Sequence, residues 1–293
     1  MRFFEMLQAR WEAGARVCVG LDTDKTRLPE SLTHLLGPVT RFNDEVIKAT
    51  QSYALCYKPN IAFYSGLGSS LDDLKATIRS LKVDVPHIPF ILDAKRGDIG
   101  STNVGYVQEA FDKFDADAVT VNPYLGGEAL LPFLQQEEKG IIVLCRTSNP
   151  GAGEFQDRLV SVTDEEAEKW GLSKGTTMPL YQLVAYRVSR EWNTNKNCAL
   201  VVGATYPTEL KQVREIVGND MWILNPGVGK KQGGKVAPVV ESGITSQGTG
   251  ILINAGSDAL YASNGPDFAE AAARAVGIIA EEINRELSVL AAK

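Results

Sequence analysis

Eight short apolar runs, rich in Val, Ile and Leu and separated by helical patterns, restrict what this chain can fold into. They predict strands at 17–21, 54–58, 89–95, 118–121, 141–145, 199–202, 222–224 and 251–254. Most of these runs lack polar alternation, which is typical of strands covered on both faces in a parallel sheet. Helices are predicted between and after them, at 39–52, 70–81, 102–114, 127–136, 178–192, 207–217, 236–242 and 266–287.

This strict alternation predicts an α/β fold, specifically a (β/α)₈ TIM barrel. A doubly wound α/β sheet is the alternative. Residues 1–13 are expected to form an extra N-terminal helix that plugs or flanks the base of the barrel. No linker, low-complexity tract or close repeat is visible, so residues 1–293 are expected to form a single domain.

Composition narrows the possible partners. With 30 basic against 36 acidic residues the net charge is -6, which predicts no binding to nucleic acid or to an anionic membrane. No apolar segment approaches the roughly 20 residues that span a bilayer, and the N-terminus does not resemble a signal peptide, so a cytoplasmic location is expected. Four scattered cysteines and two histidines suggest neither a disulfide framework nor a metal site. A small-molecule ligand is therefore expected.

Polar residues follow every predicted strand, where a barrel has its mouth. Asp22 follows the first strand, Lys58 ends the second, and Asp93, Lys95 and Asp98 lie at or just after the end of the third. Side chains alternate along a strand, so Asp93 and Lys95 share one face. Such alternating charges can hold a lysine protonated beside a reacting centre, but barrel mouths also contain salt-bridge networks with no catalytic role.

Two loops add binding candidates. The glycine-rich loop after strand seven, 225–234, carries Lys230 and Lys231, and barrels often bind phosphate after strands seven and eight. The segment 148–153 is polar and rich in small residues, which suits either a cap over a ligand or an ordinary loop.

Six motifs carry a family resemblance. They are Leu-Asp-Ala-Lys-Arg-Gly-Asp-Ile-Gly-Ser-Thr at 92–102, Gly-Leu-Asp at 20–22, Lys-Pro-Asn at 58–60, Thr-Ser-Asn-Pro-Gly at 147–151, Val-Val-Gly-Ala-Thr-Tyr-Pro at 201–207 and Pro-Gly-x-Gly with Gln-Gly-Gly at 226–234. With these motifs taken in chain order, the chain from about residue 3 to residue 287 resembles the orotidine 5′-phosphate decarboxylases of the longer bacterial branch.

The resemblance implies decarboxylation of orotidine 5′-monophosphate (OMP) to uridine 5′-monophosphate (UMP), the last step of de novo UMP synthesis, without metal or organic cofactor. It implies that Lys95 opposes the charge developing at C6 and donates the proton there. Asp93 would face the substrate carboxylate, Lys58 would link the ribose to Asp93, and Asp22 would bind a ribose hydroxyl.

Other roles follow from the same resemblance. Asp98 and Thr102 would reach into the neighbouring subunit's site, which implies a homodimer. Ser148 would read the pyrimidine edge. Gln232 would bridge base and phosphate from a mobile loop that closes on the ligand.

One departure from the family lies at the phosphate end. Where the family has Ser-Arg after strand eight, this chain has Gly256 and Ser257, with no arginine nearby in sequence. Compared with the family, the loop after strand seven has one extra residue, within the pair Lys230-Lys231. We hypothesise that one of these lysines substitutes for the arginine, although a lysine lacks the bidentate geometry of a guanidinium.

Three other functions remain open. Magnesium-dependent sugar-phosphate decarboxylases and aldolases use a similar Asp-x-Lys-x-x-Asp on the same barrel, but their metal needs further carboxylates at the strand ends. A Schiff-base aldolase built on Lys95 is less favoured, because flanking carboxylates keep the amine protonated. A non-catalytic nucleotide-binding relative is disfavoured by the retained charges.

Overall fold

The computed structural model describes residues 1–66 and 69–292 and contains a closed barrel of parallel strands. Strands β1 to β10 span Val17–Gly20, Ala54–Lys58, Ile91–Arg96, Ala118–Val121, Gly140–Arg146, Leu159–Ser161, Thr177–Pro179, Cys198–Val202, Ile223–Val228 and Ile251–Ala255. The barrel consists of β1 to β5 and β8 to β10, which are the eight strands that the apolar runs predict, with ends shifted by a few residues.

The sheet order is β2-β1-β10-β9-β8-β5-β4-β3, and the two end strands meet. Isolated parallel bridges join Tyr57 to Phe90 and Asn60 to Asp93. The prediction of a (β/α)₈ barrel is therefore confirmed, and the doubly wound alternative is wrong, because such a sheet keeps two open edges. All residues of β1, β2, β4, β8 and β10 are buried, as expected for strands covered on both faces.

Helices surround the barrel. Helices α1 to α13 span Phe3–Glu12, Glu30–Thr33, Pro38–Thr50, Ile61–Ser65, Leu71–Asp84, Gly100–Val107, Gly126–Leu134, Asp164–Trp170, Leu180–Arg187, Pro207–Val217, Val236–Gly243, Ser257–Leu260 and Phe268–Ala291. Helices α6 and α9 continue as π-helical turns, Gln108–Lys113 and Val188–Trp192. None of the helices in the described ranges is both long and apolar enough to cross a membrane.

Helix α1 covers the base of the barrel, as predicted. Phe3 packs on Gly140 at the start of β5, where a Cβ atom would collide with the Phe3 ring. Trp11 meets Trp222, just before β9, edge to face with ring centroids 5.9 Å apart. These contacts cover the end of the barrel opposite the mouth, so a ligand is expected at the carboxyl ends of the strands.

The segment between β5 and β8 contains structure that the sequence did not predict. Strands β6 and β7 form an antiparallel hairpin, and α8 packs with them over a small cluster of Val162, Ala167, Trp170 and Met178. The predicted helix at 178–192 begins later, at Leu180, because Met178 belongs to β7. The hairpin strands have three residues each, which is too short for a period-two pattern to stand out.

Candidate active site

Four charged side chains meet at the carboxyl ends of β1, β2 and β3. The Lys58 ammonium lies 2.8 Å from Asp93 Oδ2 and 3.8 Å from Asp22 Oδ1. The Lys95 ammonium lies 2.6 Å from Asp93 Oδ1. The charges therefore alternate in sign along the order Asp22, Lys58, Asp93 and Lys95, which we call the charged array. The sequence predicted this grouping, because the four residues lie at or just after the ends of the first three predicted strands.

Burial decreases toward one end of the charged array. The side chains of Lys58 and Asp93 are 5% and 9% exposed, whereas that of Lys95 is 49% exposed. Asp22 is intermediate, but its Oδ1 atom is buried and accepts no hydrogen bond from residues 1–66 or 69–292. Lys95 and the exposed part of the Asp22 carboxylate are thus the groups of the array that a ligand can reach.

The array shifts the protonation equilibria of its buried members. Burial favours the neutral form of Asp93, but the ammonium groups of Lys58 and Lys95 outweigh it and hold the pKa of Asp93 well below its usual range. Burial opposes the charge on Lys58, yet Asp22 and Asp93 raise its pKa above the ordinary lysine value. Burial raises the pKa of Asp22, and Lys58 offsets only part of this. Lys58 and Asp93 are therefore both charged at neutral pH.

The backbone at the end of β3 is unusual. Lys95 has φ of +47°, in the left-handed region that non-glycine residues rarely adopt. Two residues on, a Cβ atom at Gly97 would lie 2.7 Å from the Asn122 carbonyl oxygen, so the chain can pass this point only as glycine. Strained backbone of this kind clusters at functional sites, and here it carries Lys95.

Sequence reasoning missed Thr120, which contacts the charged array from β4. Its Oγ1 lies 2.9 Å from Asp93 Oδ1, and the side chain is buried. The only available signal was a hydroxyl residue within the apolar run 118–121.

Asp98 and Thr102 do not join the charged array within one chain. Asp98 Oδ1 accepts a hydrogen bond from the Ile99 amide at 2.7 Å, and among the described residues its carboxylate forms no ion pair. Thr102 is exposed in the first turn of α6. The buried Asn103 side chain donates to the Asp98 carbonyl oxygen at 2.7 Å and thereby fixes this loop.

Ser148 and Gln232 come together from the loops after β5 and β9. A Cβ atom on Gly227 would lie 3.4 Å from Ser148 Cβ and 3.5 Å from Gln232 Oε1, so the two side chains flank that glycine. Gly203 provides the space for Ser148, because a Cβ atom there would lie 2.8 Å from Ser148 Cα. The two predicted base-binding residues are therefore neighbours.

The loop carrying Lys230 and Lys231 folds back on itself. The Gly229 amide donates to the Gly234 carbonyl oxygen at 3.1 Å, and the Gly234 amide donates to that of Gly227 at 2.9 Å. Both lysine side chains are exposed, and within the described ranges neither ammonium forms an ion pair. Both are free to meet an anion.

A carboxylate lies beside this loop. Asp258 Oδ2 accepts a hydrogen bond from the Lys231 amide at 3.1 Å, and a Cβ atom on Gly229 would lie 2.7 Å from the same oxygen. Gly256 and Ser257 directly precede Asp258, at the start of α12. The residues predicted to bind phosphate therefore surround a negative charge of the protein itself.

An arginine that sequence reasoning missed also reaches this side of the barrel. The Arg27 guanidinium lies 3.7 Å from the centre of the Tyr261 ring, directly after α12. The Tyr261 hydroxyl in turn accepts a hydrogen bond from the Asp24 amide at 2.6 Å. Residues 27 and 261 are far apart in sequence, so no local motif reveals this contact.

Metal-binding groups are also informative. Across 1–66 and 69–292, no cluster of three or more His, Cys, Asp or Glu side chains is arranged to hold a metal ion. The two carboxylates of the charged array are instead matched by the ammonium groups of Lys58 and Lys95.

Fold and site together define a class of (β/α)₈ barrels with alternating carboxylates and ammonium groups at the mouth. Residues 15–274 match the model of the Orotidine 5'-phosphate decarboxylase / HUMPS family. The chain belongs to this family.

Individual relatives cover almost the whole chain. It is 43% identical over 289 residues to an orotidine 5'-phosphate decarboxylase of Janthinobacterium sp. (strain Marseille), which covers 98% of this chain and 100% of the relative. It is 44% identical over 288 residues to the enzyme of that name from Cellvibrio japonicus, covering 97% and 98%. The solved structure of Leishmania donovani OMP decarboxylase superposes with a TM-score of 0.78 at 34% identity, covering 98% of this chain and 99% of that one.

Proposed function

We propose that this chain is a carboxy-lyase that converts OMP to UMP and CO₂, the last step of UMP synthesis. The observation that carries the proposal is the charged array, because it holds an ionised carboxylate and an ammonium group side by side at the mouth of the barrel. The names of the relatives support the same reaction.

The chemistry requires charge on the protein. Loss of CO₂ from C6 leaves electron density on a vinylic carbon that the pyrimidine ring delocalises poorly. Asp93, ionised at neutral pH, would face the substrate carboxylate, and two such charges about 4 Å apart at an effective dielectric of 20 repel by about 4 kcal/mol. This repulsion disappears as CO₂ leaves.

Lys95 would then act as the proton donor. Its ammonium lies 2.6 Å from Asp93 Oδ1 and its side chain is half exposed, so it can approach C6 while remaining paired. As charge develops at C6, the attraction between that carbon and the ammonium replaces the repulsion between the two carboxylates. Lys58 would stay buried and hold Asp93 ionised.

The remaining predicted residues would bind the rest of the nucleotide. Asp22, whose side chain is 23% exposed, would accept from a ribose hydroxyl, and Lys58 would link the ribose to Asp93. Ser148 and Gln232, which flank Gly227, would contact the base, with Gln232 extending to the phosphate.

We also propose a homodimer in which Asp98 and Thr102 complete the partner's site. Asp98 forms no ion pair within the described part of its own chain, and Thr102 is exposed, so both are available to a neighbour. Ile99 and Val104, on the same segment, are 58% and 47% exposed, which suits a covered apolar surface. A cytoplasmic location stays a prediction from the sequence.

At the phosphate end we propose that Lys230 or Lys231 supplies the cation that the family takes from an arginine. Both are exposed on a loop whose folded backbone brings Gly229 against Asp258. Gly256 and Ser257 would line the other side of the phosphate.

The test is to incubate the protein with OMP and to measure UMP and CO₂ with and without EDTA. We expect one CO₂ per UMP formed and the same rate in both samples. No turnover would overturn the proposed function, and turnover that EDTA abolishes would favour the magnesium-dependent members of the barrel group.

A further inference from the structure

The pairing of β3 with β4 is irregular next to the charged array. Leu92 pairs with Val119, and the following pair is Arg96 with Val121, so three residues of β3 face Thr120 alone. Two extra residues therefore form a bulge in β3. Bulged residues lose their partners in the ladder, and their buried amide groups need another acceptor.

The hydroxyl of Thr120 supplies that acceptor. Its Oγ1 accepts hydrogen bonds from the Ala94 amide at 3.0 Å and the Lys95 amide at 2.9 Å. It donates its own hydrogen to Asp93 Oδ1 at 2.9 Å. A hydroxyl has one hydrogen and two lone pairs, so all three are used. Thr120 is 1% exposed, and solvent does not compete for these bonds.

One atom thus fixes both partners of the exposed ion pair. Asp93 Oδ1, which accepts from Thr120, also receives the Lys95 ammonium at 2.6 Å. The Lys95 backbone, held by the same hydroxyl, has φ of +47°, which a lysine adopts only when its surroundings impose it. Without the hydroxyl, the amides of Ala94 and Lys95 lose their acceptor, and Asp93 Oδ1 loses its hydrogen bond from β4.

We propose that Thr120 is a positioning residue of this site, whose hydroxyl holds the β3 bulge and the Asp93 carboxylate so that the Lys95 ammonium stays paired at the mouth. Thr120 is buried beneath both groups and acts only through them. The kinetic consequences rest on the proposed decarboxylation, whereas the geometric consequence does not.

The kinetic test compares Thr120→Val, which keeps the shape and removes the hydroxyl, with Thr120→Ser, which keeps the hydroxyl. Thr120→Val removes the hydrogen bond to the charged Asp93, and bonds to charged groups are the stronger ones. We therefore expect kcat to fall about 10- to 100-fold, with KM changed less than about threefold. Thr120→Ser should stay within about threefold of wild type in both constants.

A matched control is Thr245→Val. Thr245 is also buried, and its Oγ1 also accepts a backbone amide, from Thr249 at 3.2 Å, but it precedes β10 at the opposite end of the barrel. This variant should lose stability without a change in kcat per folded molecule. If Thr120→Val behaves like Thr245→Val, Thr120 is merely structural and the proposal is wrong.

The split between kcat and KM, together with its rescue by Thr120→Ser, is a readout that a merely structural role would not move. An unchanged kcat in Thr120→Val would overturn the proposal.

A crystal structure of Thr120→Val separates this inference from the proposed function. We expect Lys95 to leave the left-handed region and its ammonium to move beyond the 2.6 Å separation from Asp93 Oδ1. An unchanged bulge and ion pair would refute the positioning role even if wild type turned out not to decarboxylate OMP. Should Thr120→Val not fold, Thr120→Cys replaces it, because a thiol is a weak donor and acceptor of similar size.

Discussion

The two ends of the barrel mouth are constructed differently. At the ends of β1 to β3, Lys58 and Asp93 are buried and paired, and Thr120 fixes Asp93 from the neighbouring strand. After β9 and β10, by contrast, Lys230 and Lys231 are exposed and unpaired among the described residues. The Asp258 carboxylate lies beside their loop and accepts a hydrogen bond from the Lys231 amide.

This difference indicates how the work of catalysis is divided. The reactive end is organised before any ligand binds, which is the condition for electrostatic stabilisation without reorganisation during the reaction. The other end, after β9 and β10, is where we propose that the phosphate binds. Its backbone is arranged but its cations are free, so a bound phosphate would have to gather them. Changes at the first end should therefore alter kcat and stability, and changes at the second end should alter KM.

The largest effect is expected from Asp93→Asn. The amide has the shape of the carboxylate without its charge, so it neither repels the substrate carboxylate nor balances Lys58 and Lys95. We expect kcat to fall about 10³-fold or more, measured by steady-state decarboxylation of OMP. Asp117→Asn is the matched control, because Asp117 pairs with Lys82 at 2.9 Å just before β4, away from the mouth, and should leave kcat unchanged.

A variant Asp93→Asn that kept more than a tenth of the wild-type kcat would remove the distinction between the two ends. The charged array would then be a structural salt-bridge network.

The next effect is on stability. Lys58→Met leaves Asp22 and Asp93 buried without their shared cation, which should cost about 3–5 kcal/mol in the free energy of unfolding at pH 7.5. Urea denaturation at several pH values measures it.

The stability deficit of Lys58→Met should shrink on acidification. In wild type the pKa of Asp93 is lowered, so its stabilising contribution is present above the unfolded carboxyl pKa and is lost below it. In the variant Lys58 no longer offsets the burial that raises the pKa of Asp22, so folding is favoured as Asp22 takes up a proton. A deficit that stayed constant or grew from pH 7.5 to pH 5 would contradict the assigned electrostatics.

At the phosphate end a moderate effect on KM is expected. Lys230→Ala and Lys231→Ala together should raise KM for OMP up to about fivefold, with kcat changed less than threefold, because an exposed ion pair contributes about 1 kcal/mol or less. Lys235→Ala, an exposed lysine just beyond the loop, is the control.

Arg27→Ala belongs in the same series. If Arg27→Ala raises KM while the double lysine variant leaves KM unchanged, then Arg27, in the segment after β1, takes the place of the missing arginine. The lysine hypothesis would then be wrong.

The smallest effect concerns Asp258→Asn. The amide oxygen can still accept from the Lys231 amide, but the negative charge beside the phosphate loop is gone. We expect KM to fall about threefold at low ionic strength and less in 0.5 M salt, because salt screens the repulsion. A KM that is unchanged at low salt would place the phosphate away from Asp258.

Sequence alone predicted the parts of the molecule that depend on local pattern. Strands 54–58 and 118–121 match the observed bounds of β2 and β4, because continuous apolar runs mark strands buried on both faces. The charged array followed from strand ends alone, since a closed parallel barrel brings Asp22, Lys58 and Asp93 to one mouth.

The features that escaped prediction depend on register or on distant contacts. Thr120 faces the array only because β3 bulges opposite it, and a shift in strand register leaves no trace in the sequence of β4. The contact between Arg27 and Tyr261 joins residues that are far apart in the sequence. The hairpin of β6 and β7 is too short and too exposed to produce a pattern.

The proposed role of Lys95 as the proton donor can be tested with Lys95→Ala, which removes the ammonium group. Single-turnover decarboxylation of OMP should slow about 10³-fold or more, and added ethylammonium should restore part of the rate, whereas tetramethylammonium, which has no proton to give, should not. A variant that retained more than a tenth of the wild-type rate, or that responded equally to both cations, would show that Lys95 is not the donor.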